Sequence, residues 1–297
     1  MHLKIDDVEF AYGSVPVLHG VTVDLTGPRF VSILGPNGVG KSTLIHCINK
    51  ILTPTGGTVM LDDRDVRDFT IKEMAKTVGY VPYSANDTFP LSVVDTVLMG
   101  RHPHSAWGTL DKDLDVVYDT LRMLGISHLA MRSFSELSAG QHQKVMLARG
   151  LVQEPKILLL DEPTSNLDVR HQLEVTKMLK RLTVEKGILV IMISHDINIA
   201  AKYADDIIML HDGTIYACGT PQEVIRPENL KVVYQVEASI VDDDGSPHVI
   251  LKDAVPMDEE RGPYGARTSS VFNICCRRSC WSSSRCGAGR RSEPPWG

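Results

Sequence analysis

The sequence lacks the features of a membrane-spanning chain, of a secreted chain and of a paired-cysteine metal site. No apolar run reaches the length of about eighteen residues that a membrane-spanning helix requires. The sequence contains no Cys-x-x-Cys pair, and residues 1–4 lead directly into a strand pattern without a signal peptide. Cys47 and Cys218 fall inside predicted elements and are interpreted as small buried residues. Together these absences predict a cytosolic chain.

An excess of positive charge is also missing. The formal net charge is −6, which argues against a nucleic-acid partner. The 297 residues, of which 43% are hydrophobic, are enough to bury a substantial core. No internal repeat is evident, so the composition predicts a folded chain whose chemistry depends on local motifs.

A glycine-rich loop between a predicted strand and a predicted helix is the firmest local signal. Residues 29–34 are a short apolar run typical of a buried strand, and residues 43–48 begin a helical pattern. The segment between them fits G-x-x-x-x-G-K-[ST], in which backbone N–H groups converge on an anion at the positive end of a helix. We expect Lys41 to contact the outer phosphates and the Ser42 hydroxyl to reach Mg²⁺; an ordinary glycine turn is the alternative. The loop residues are Gly35, Pro36, Asn37, Gly38, Val39, Gly40, Lys41, Ser42 and Thr43.

Two carboxylates follow a second predicted buried strand. Residues 157–160 are an unbroken apolar run, as in a central parallel strand covered on both faces. Asp161 and Glu162 then lie at the carboxyl end of that strand, where open α/β sheets bind ligands. Asp161 would hold the hydration shell of Mg²⁺, and Glu162 would orient or deprotonate an attacking water. The alternative is a solvated acidic turn, and the upstream phosphate loop favours the site.

A third apolar run, residues 187–194, delivers His195 to the same predicted sheet edge. A histidine at that place can donate a hydrogen bond to a γ-phosphate, although a lone histidine after a strand is more often structural or solvated. Its position in series with the phosphate loop and the two carboxylates favours the functional interpretation.

The separation between the two halves of the site predicts an inserted subdomain. Lys41 and Asp161 are 120 positions apart, whereas one βαβ crossover needs only about thirty residues. Residues 92–152 have a helical pattern, and Gly125 is a plausible stop for one of its helices. The apolar positions of that helix are Leu114, Val117, Leu121 and Leu124.

Ser138 opens the last predicted helix of this insertion, residues 141–152. A serine at a helix start is first a cap for that helix. Capping does not account for the neighbouring Leu137, Gly140 and Gln141, which point to a recognition motif.

Together and in this order, the motifs resemble those of the nucleotide-binding subunit of an ATP-binding cassette (ABC) transporter. The resemblance covers residues 3–255, and the signature and D-loop in register separate this family from other phosphate-loop NTPases. The matching segments are residues 35–43 (Walker A), 157–162 (Walker B), 137–141 (the LSGGQ signature, with Ala139 in place of one glycine), 165–168 (the D-loop) and His195 (the switch histidine).

The resemblance implies an ATPase that binds ATP and Mg²⁺ between two copies of itself. The start of the signature helix would face the γ-phosphate held by the other subunit, as a second anion site. The residues implied on that side are Ser138, Ala139, Gly140, Gln141 and Asp168. Tyr12, near the end of the first strand, matches the aromatic residue that stacks on adenine; an ordinary strand aromatic is the alternative.

One position departs from the family pattern. The Q-loop glutamine is expected after residues 78–82, and this chain has Tyr83 there. A Gln carbonyl can coordinate Mg²⁺, whereas a neutral phenol is a poor metal ligand. Either basal turnover is slow, or the loop shifts and Ser84 or Asn86 takes the place of the glutamine.

Residues 89–101 and the final hairpin resemble importers for iron–siderophore complexes, haem and vitamin B12. We therefore expect a subunit that energises metal-chelate uptake with transmembrane permease subunits and, indirectly, a substrate-binding protein, at the cytoplasmic face of the membrane. The alternatives are an ATPase of another ABC transporter class and a soluble non-transport ABC protein. The latter usually carries two cassettes or a coiled-coil insertion, and neither is visible. Loss of Glu162 or His195 would indicate a binding module without catalysis, but both are present.

The expected fold is α/β: a P-loop NTPase of ABC cassette type, with an antiparallel β subdomain and an inserted α-helical subdomain. The cassette would span residues 1–256, with the helical subdomain at about residues 86–152. Residues 3–34 and 58–61 would supply the strands of the antiparallel subdomain near the ATP base. The expected later elements are a hairpin at 207–218 around Asp212-Gly213, a helix opening at Pro221, and a hairpin at 238–252 turning at residues 244–247.

Residues 257–297 have a different character from the preceding cassette. From residue 271 they are rich in Ser, Arg, Gly and Cys, and the spacing of the cysteines matches no zinc pattern. A metal or redox tail is one interpretation; disorder or a sequence artefact such as a frameshift is favoured over it. The cysteines are Cys275, Cys276, Cys280 and Cys286.

Overall fold

The structure is a computed structural model that describes residues 1–83, 91–104, 109–165 and 167–255. The strands are β1 (His2–Tyr12), β2 (Val15–Thr26), β3 (Phe30–Leu34), β4 (Gly56–Leu61), β5 (Arg64–Asp65), β6 (Val78–Val81), β7 (Ile157–Leu160), β8 (Leu189–Ile193), β9 (Asp206–His211), β10 (Thr214–Gly219), β11 (Val236–Asp243) and β12 (Ser246–Ala254). The helices are α1 (Lys41–Ile48), α2 (Ile71–Thr77), α3 (Val93–Leu98), α4 (Leu110–Met123), α5 (Ala139–Leu151), α6 (Val169–Glu185), α7 (Ile197–Tyr203), α8 (Pro221–Val224) and α9 (Pro227–Tyr234).

A six-stranded sheet of order β10-β9-β3-β8-β7-β6 forms the centre of the molecule. Five of its strands run parallel, and β10 pairs antiparallel with β9 at the edge. Every residue of β3, β7 and β8 is buried, as their unbroken apolar sequences predict. Because these strands are parallel, the segments that follow each of them meet at one edge of the sheet.

A second sheet of order β2-β1-β4-β5 is antiparallel and packs over the first one. Its strands β1 and β2 alternate largely between buried and exposed residues, as a sheet with one solvated face does. The prediction that residues 3–34 all belong to this sheet is wrong for the last five of them. Residues 30–34 form β3 in the central sheet, because a strand buried on both faces needs covering layers on both sides.

The predicted helical insertion is present as α3, α4 and α5, with short 3-10 turns between them. Gly125 ends α4 with a φ of +69°, the left-handed conformation expected of such a stop. Helix α5 begins at Ala139 rather than at residue 141, because Ser138 caps the helix two residues earlier than the pattern suggests. Inside this layer the buried Arg101 guanidinium donates to Asp113 Oδ1 at 2.8 Å and to the Val152 carbonyl at 2.7 Å.

Two hairpins complete the fold, and both turn where the sequence predicts. Asp212 and Gly213 connect β9 to β10 with φ values of +45° and +70°. Asp244 and Gly245 connect β11 to β12, which is a tighter turn than the predicted residues 244–247. The Asn198 amide on α7 holds the second hairpin, because it accepts from the backbone N–H of Val249 at 2.7 Å and donates to its carbonyl at 3.2 Å.

Other predictions fall on single elements or outside the described ranges. Helix α8 opens at Pro221, as predicted. Cys47 is buried, as predicted, whereas Cys218 is only half-buried. In the described ranges, none of the helices combines the length and the apolar character that a bilayer crossing requires. The predictions on the tail from residue 257 onward lie outside the described residues.

Candidate functional site

The phosphate-binding loop lies between β3 and α1 and is pressed between two other strands. A Cβ on Gly35 would lie 2.5 Å from the Leu210 carbonyl of β9, and one on Gly40 would lie 2.7 Å from Leu18 Cδ2 of β2. Gly40 is also the N-cap of α1 with a φ of +100° and provides no side-chain cap to that helix. The amides of the first helical turn therefore remain donors for an anion. Asn37 and Gly38 are exposed at the tip of the loop.

Lys41, the first residue of α1, is buried under this loop. Its ammonium donates to the carbonyls of Gly35 at 2.8 Å and Pro36 at 2.7 Å. Burial lowers the pKa of Lys41, and the negative charges of Glu162 and Asp161 oppose that lowering. Lys41 therefore feels the negative charges of both carboxylates that follow β7.

The hydroxyl of Ser42 joins the phosphate loop to the end of β7. It donates to Asp161 Oδ1 at 3.1 Å, and the Asp161 backbone N–H donates to the carbonyl of Val81 on β6 at 2.9 Å. Burial raises the pKa of Asp161, and the Ser42 hydrogen bond opposes that rise. A divalent cation beside the two oxygens would favour the ionised carboxylate, and Mg²⁺ commonly takes one or two protein oxygens together with phosphates.

Glu162 and His195 meet at the ends of neighbouring strands β7 and β8. The Nε2 atom of His195 lies 2.5 Å from Glu162 Oε1, and both side chains are partly open to solvent. Glu162 has a φ of +49°, an uncommon left-handed conformation for a residue with a side chain. The Ser165 hydroxyl donates to the Glu162 carbonyl at 2.9 Å and supports that conformation. The chain thus turns sharply after β7, and the Glu162 carboxylate faces His195.

The signature segment forms the start of α5. Ser138 and Gln141 make a reciprocal capping box, in which the Gln141 backbone N–H donates to Ser138 Oγ and the Ser138 backbone N–H donates to Gln141 Oε1. Ser138 and Ala139 are exposed, whereas Gly140 is buried against the ring of His171. Among the described residues, the polar contacts shown for Ser138 and Gln141 stay within this segment and do not reach the phosphate loop.

Two more predicted site residues lie on other elements. Asp168 is the N-cap of α6 and accepts the backbone N–H of His171 at 2.9 Å. Asn166 of the D-loop match lies outside the described residues.

Tyr12 ends β1 with about half of its side chain exposed, and its ring makes an edge contact with Phe10 at a centroid distance of 4.9 Å. This position leaves both interpretations of Tyr12 open.

The sequence patterns missed supporting residues that surround the phosphate loop. His46 lies one turn after Ser42 on α1, and its Nε2 atom is 3.0 Å from the Tyr80 hydroxyl on β6. The hydroxyl of Tyr234, at the end of α9, is buried beside Gly35: burial raises the pKa of Tyr234 to about 12 and the Gly35 backbone opposes the rise, although among the described residues this hydroxyl makes no hydrogen bond of normal geometry. Helical spacing from Ser42 could have indicated His46, whereas no local signal connects residue 234 to residue 35.

Comparisons with known proteins identify the family. Residues 18–165 match the model of the ABC transporter family. An uncharacterized ABC transporter ATP-binding protein of Methanocaldococcus jannaschii is 48% identical over 250 residues, which cover 84% of this chain and 98% of that protein. The ferric enterobactin transport ATP-binding protein FepC of Escherichia coli K12 is 36% identical over 84% of this chain and 93% of its own length. The hemin import ATP-binding protein HmuV of Bordetella avium is 36% identical over 81% and 95%.

Solved structures agree with this assignment. A metal-chelate type ABC transporter in an inward-facing conformation is similar with a TM-score of 0.74 and 28% identity, over 84% of this chain and 96% of that one. A dimeric ATP-binding cassette bound to ADP and Pi in a post-hydrolysis state is similar with a TM-score of 0.65 and 29% identity, over 73% and 98%. The fold and the site define an ABC-type ATPase cassette. The chain belongs to the ABC transporter family as an ATP-binding subunit, and the predicted family, fold class and ATPase activity are confirmed.

Proposed function

We propose that this chain is the ATP-hydrolysing subunit of an importer that takes up a metal chelate, such as an iron–siderophore complex, haem or cobalamin. The observation that carries the choice of cargo class is the 36% identity to the ferric enterobactin subunit along 84% of this chain. A similar identity to the hemin import subunit supports the same class. The cassette that performs this work is residues 1–256, with the helical subdomain at residues 86–152.

The phosphate loop and the end of β7 bind the nucleotide and the metal. Lys41 exchanges its two carbonyl partners for the outer phosphates of ATP, while the α1 amides donate to the same anions. Ser42 and Asp161 are the protein ligands that would hold Mg²⁺, because they are already within hydrogen-bond distance of each other. Bound Mg²⁺ would neutralise charge on the phosphate oxygens during transfer. Tyr12 would cover the adenine.

Glu162 and His195 act on the attacking water. Glu162 orients the water through its carboxylate and accepts its proton, which is the ordinary task of a general base beside a phosphoryl group. His195 holds the Glu162 carboxylate by the contact at 2.5 Å, and with ATP bound it would donate a hydrogen bond to the γ-phosphate. Because each side chain lies two residues after the end of one of two adjacent buried strands, the pairing of β7 with β8 brings the two residues side by side.

A second copy of the chain completes each site. The exposed start of α5 presents Ser138, Ala139 and the helix amides to the γ-phosphate bound by the partner, where the positive helix end favours an anion. Gly140, Gln141 and Asp168 support that surface. The assembled unit is a homodimer that sandwiches two ATP molecules at the cytoplasmic face of the membrane, bound to permease subunits and served by a substrate-binding protein. Nucleic acid has no part in it.

The test is uptake in the source organism after disruption of the gene. Cells complemented with wild type should recover the uptake of one of three labelled cargoes, a ferric siderophore, haem or cobalamin, whereas cells complemented with Glu162→Gln should not. The Glu162→Gln protein must accumulate to the wild-type level, as an immunoblot would show. Normal uptake of all three cargoes in the disrupted strain would contradict the proposed cargo class.

A further inference from the structure

His171 occupies the space between two residues of the proposed partner-facing surface. Its Nδ1 atom lies 2.8 Å from Asp168 Oδ1, and its backbone N–H donates to the same oxygen at 2.9 Å. These bonds lower the pKa of Asp168 and keep it ionised, so the ring nitrogen is the donor. The opposite edge of the ring faces α5: a Cβ on Gly140 would lie 2.9 Å from His171 Cδ2 and 3.2 Å from its Cγ.

The conformation of Gly140 does not itself require a glycine. Gly140 lies inside the helix α5 and is not among the residues with positive φ. Helix propensity alone favours alanine at such a position. The nearest obstacle to a Cβ at position 140 is the His171 ring, which would have to move away to make room for one.

A second contact one turn later keeps the same two helices in register. Lys144 Nζ on α5 lies 3.4 Å from Glu174 Oε2 on α6, and Glu174 also accepts from Arg170 Nε at 3.1 Å. Positions 140 and 144 lie on one face of α5, and positions 171 and 174 lie on one face of α6. An exposed ion pair of this kind adds little stability. The contact between the His171 ring and Gly140 is therefore the stronger constraint on how the starts of α5 and α6 pack.

We propose that His171 is a positioning residue that couples the D-loop aspartate to the signature helix within one subunit. This inference rests on the proposed function, in which both segments meet the partner subunit. With the ring in place, Asp168 and Gly140 keep one spacing, so both can engage the partner at the same time. Without it, each subunit still binds ATP at its own phosphate loop, but the closed dimer forms with the two contacts out of register. The turnover number therefore depends on His171 more than KM for ATP does.

A double-mutant cycle on the purified full chain tests the ring contact. Gly140→Ala in the wild-type background should lower kcat by about tenfold or more, whereas in the His171→Ala background it should lower kcat further by no more than about threefold, since the clash is gone. Equal losses in the two backgrounds would show that the glycine serves only the nucleotide or the partner, and would overturn the proposal.

A second pair of variants separates the hydrogen bond from the packing. His171→Asn keeps a donor near the Nδ1 position and should retain kcat within about threefold, whereas His171→Leu keeps the bulk without the donor and should lose about tenfold with KM for ATP unchanged. Lys177→Ala, at an exposed position of the same helix α6 and away from both contacts, is the matched control and should match wild type. A loss in His171→Leu that follows a fall in its melting temperature, or a loss equal to that of His171→Asn, would mean a structural role only.

The failure of the inference and the failure of the proposed function give different results. A wild-type chain without ATPase activity, or a Lys41→Ala chain with full activity, would overturn both. An active wild type that needs Lys41 but shows no coupling between residues 140 and 171 would overturn the positioning role alone.

Discussion

Opposing effects of the surrounding residues act on the pKa of Asp161. Burial and the neighbouring Glu162 both raise its pKa, while the Ser42 hydroxyl, His46 and Lys41 lower it. A buried carboxylate with a raised pKa is short of positive partners, and a divalent cation would supply that charge. In the proposed function, that cation is the Mg²⁺ bound together with ATP beside Ser42 and Asp161.

At the residue scale, motif spacing predicted the contacts along the sheet edge but not those made by single rings. Ser42, Asp161, Glu162 and His195 come together because each follows a strand of one parallel sheet, and that arrangement can be read from apolar runs. The ring of His171 reaches Gly140 only through the rotation and packing of two helices. No local pattern encodes that geometry.

Tyr83 carries the first residue-scale prediction. It follows β6 with its side chain 48% exposed, at the place where the family has a glutamine that can reach the metal. Tyr83→Gln should raise basal ATPase activity at saturating Mg-ATP by several-fold, which corresponds to about 1 kcal/mol of barrier. Tyr83→Phe is the control, since it removes only the hydroxyl, and should leave the rate near that of wild type.

The competing hypothesis is a shifted loop in which Ser84 or Asn86 replaces the glutamine; both residues lie outside the described ranges. Turnover of Ser84→Ala and Asn86→Ala separates the two. An unchanged rate in Tyr83→Gln together with a large loss in Asn86→Ala would defeat the role given to Tyr83.

At the scale of elements, most helices of the described chain begin at a residue whose side chain caps the helix. Capping side chains hold the starts of α2, α5, α6 and α7, whereas α1 begins at Gly40 without one. The first-turn amides of α1 are thus left for the phosphates of the chain's own nucleotide, whereas the Ser138 cap of α5 takes up the Gln141 amide and leaves the exposed helix start to the partner's phosphate in the proposed dimer. The elements could be predicted well because apolar runs, hairpin turns and capping residues agree locally. The assignment of β3 to the antiparallel sheet failed because sheet membership depends on which layers cover a strand.

The second prediction belongs to α5. Ser138 is exposed at the helix start, so Ser138→Arg should block closure with the partner by bulk and by charge while leaving the subunit folded. ATPase activity of the homodimer should be lost, and the melting temperature should stay near that of wild type. Ser138→Thr, which keeps the hydroxyl and the cap, is the matched control.

Mixing Ser138→Arg with Lys41→Ala subunits extends this test. A heterodimer of the two retains one intact site, so partial recovery of ATPase activity would support sharing of the site between subunits. An absence of recovery would be compatible with strict cooperation between two sites. Full activity in the Ser138→Arg homodimer would contradict the shared site directly.

At the scale of the whole molecule, the central sheet gathers three site segments at one edge, while the helical insertion carries the fourth on its own layer. In the described part of the chain, the polar contacts of Ser138 and Gln141 stay within the signature segment and do not reach the phosphate loop of the same chain. A second copy is the partner that would bring a signature to each phosphate loop. The sequence alone could indicate this only through family resemblance, because a contact between two copies leaves no periodicity in one chain.

The central claim is that ATP joins two copies of this chain, and the mass of the Glu162→Gln protein in solution tests it most directly. Glu162→Gln should bind ATP without hydrolysing it, because the water is no longer activated. Sedimentation should then show a dimer with ATP and Mg²⁺ and a monomer without nucleotide. Adding Lys41→Ala to the same protein should abolish the dimer. A Glu162→Gln chain that stays monomeric at saturating ATP, or that hydrolyses ATP at the wild-type rate, would contradict the account.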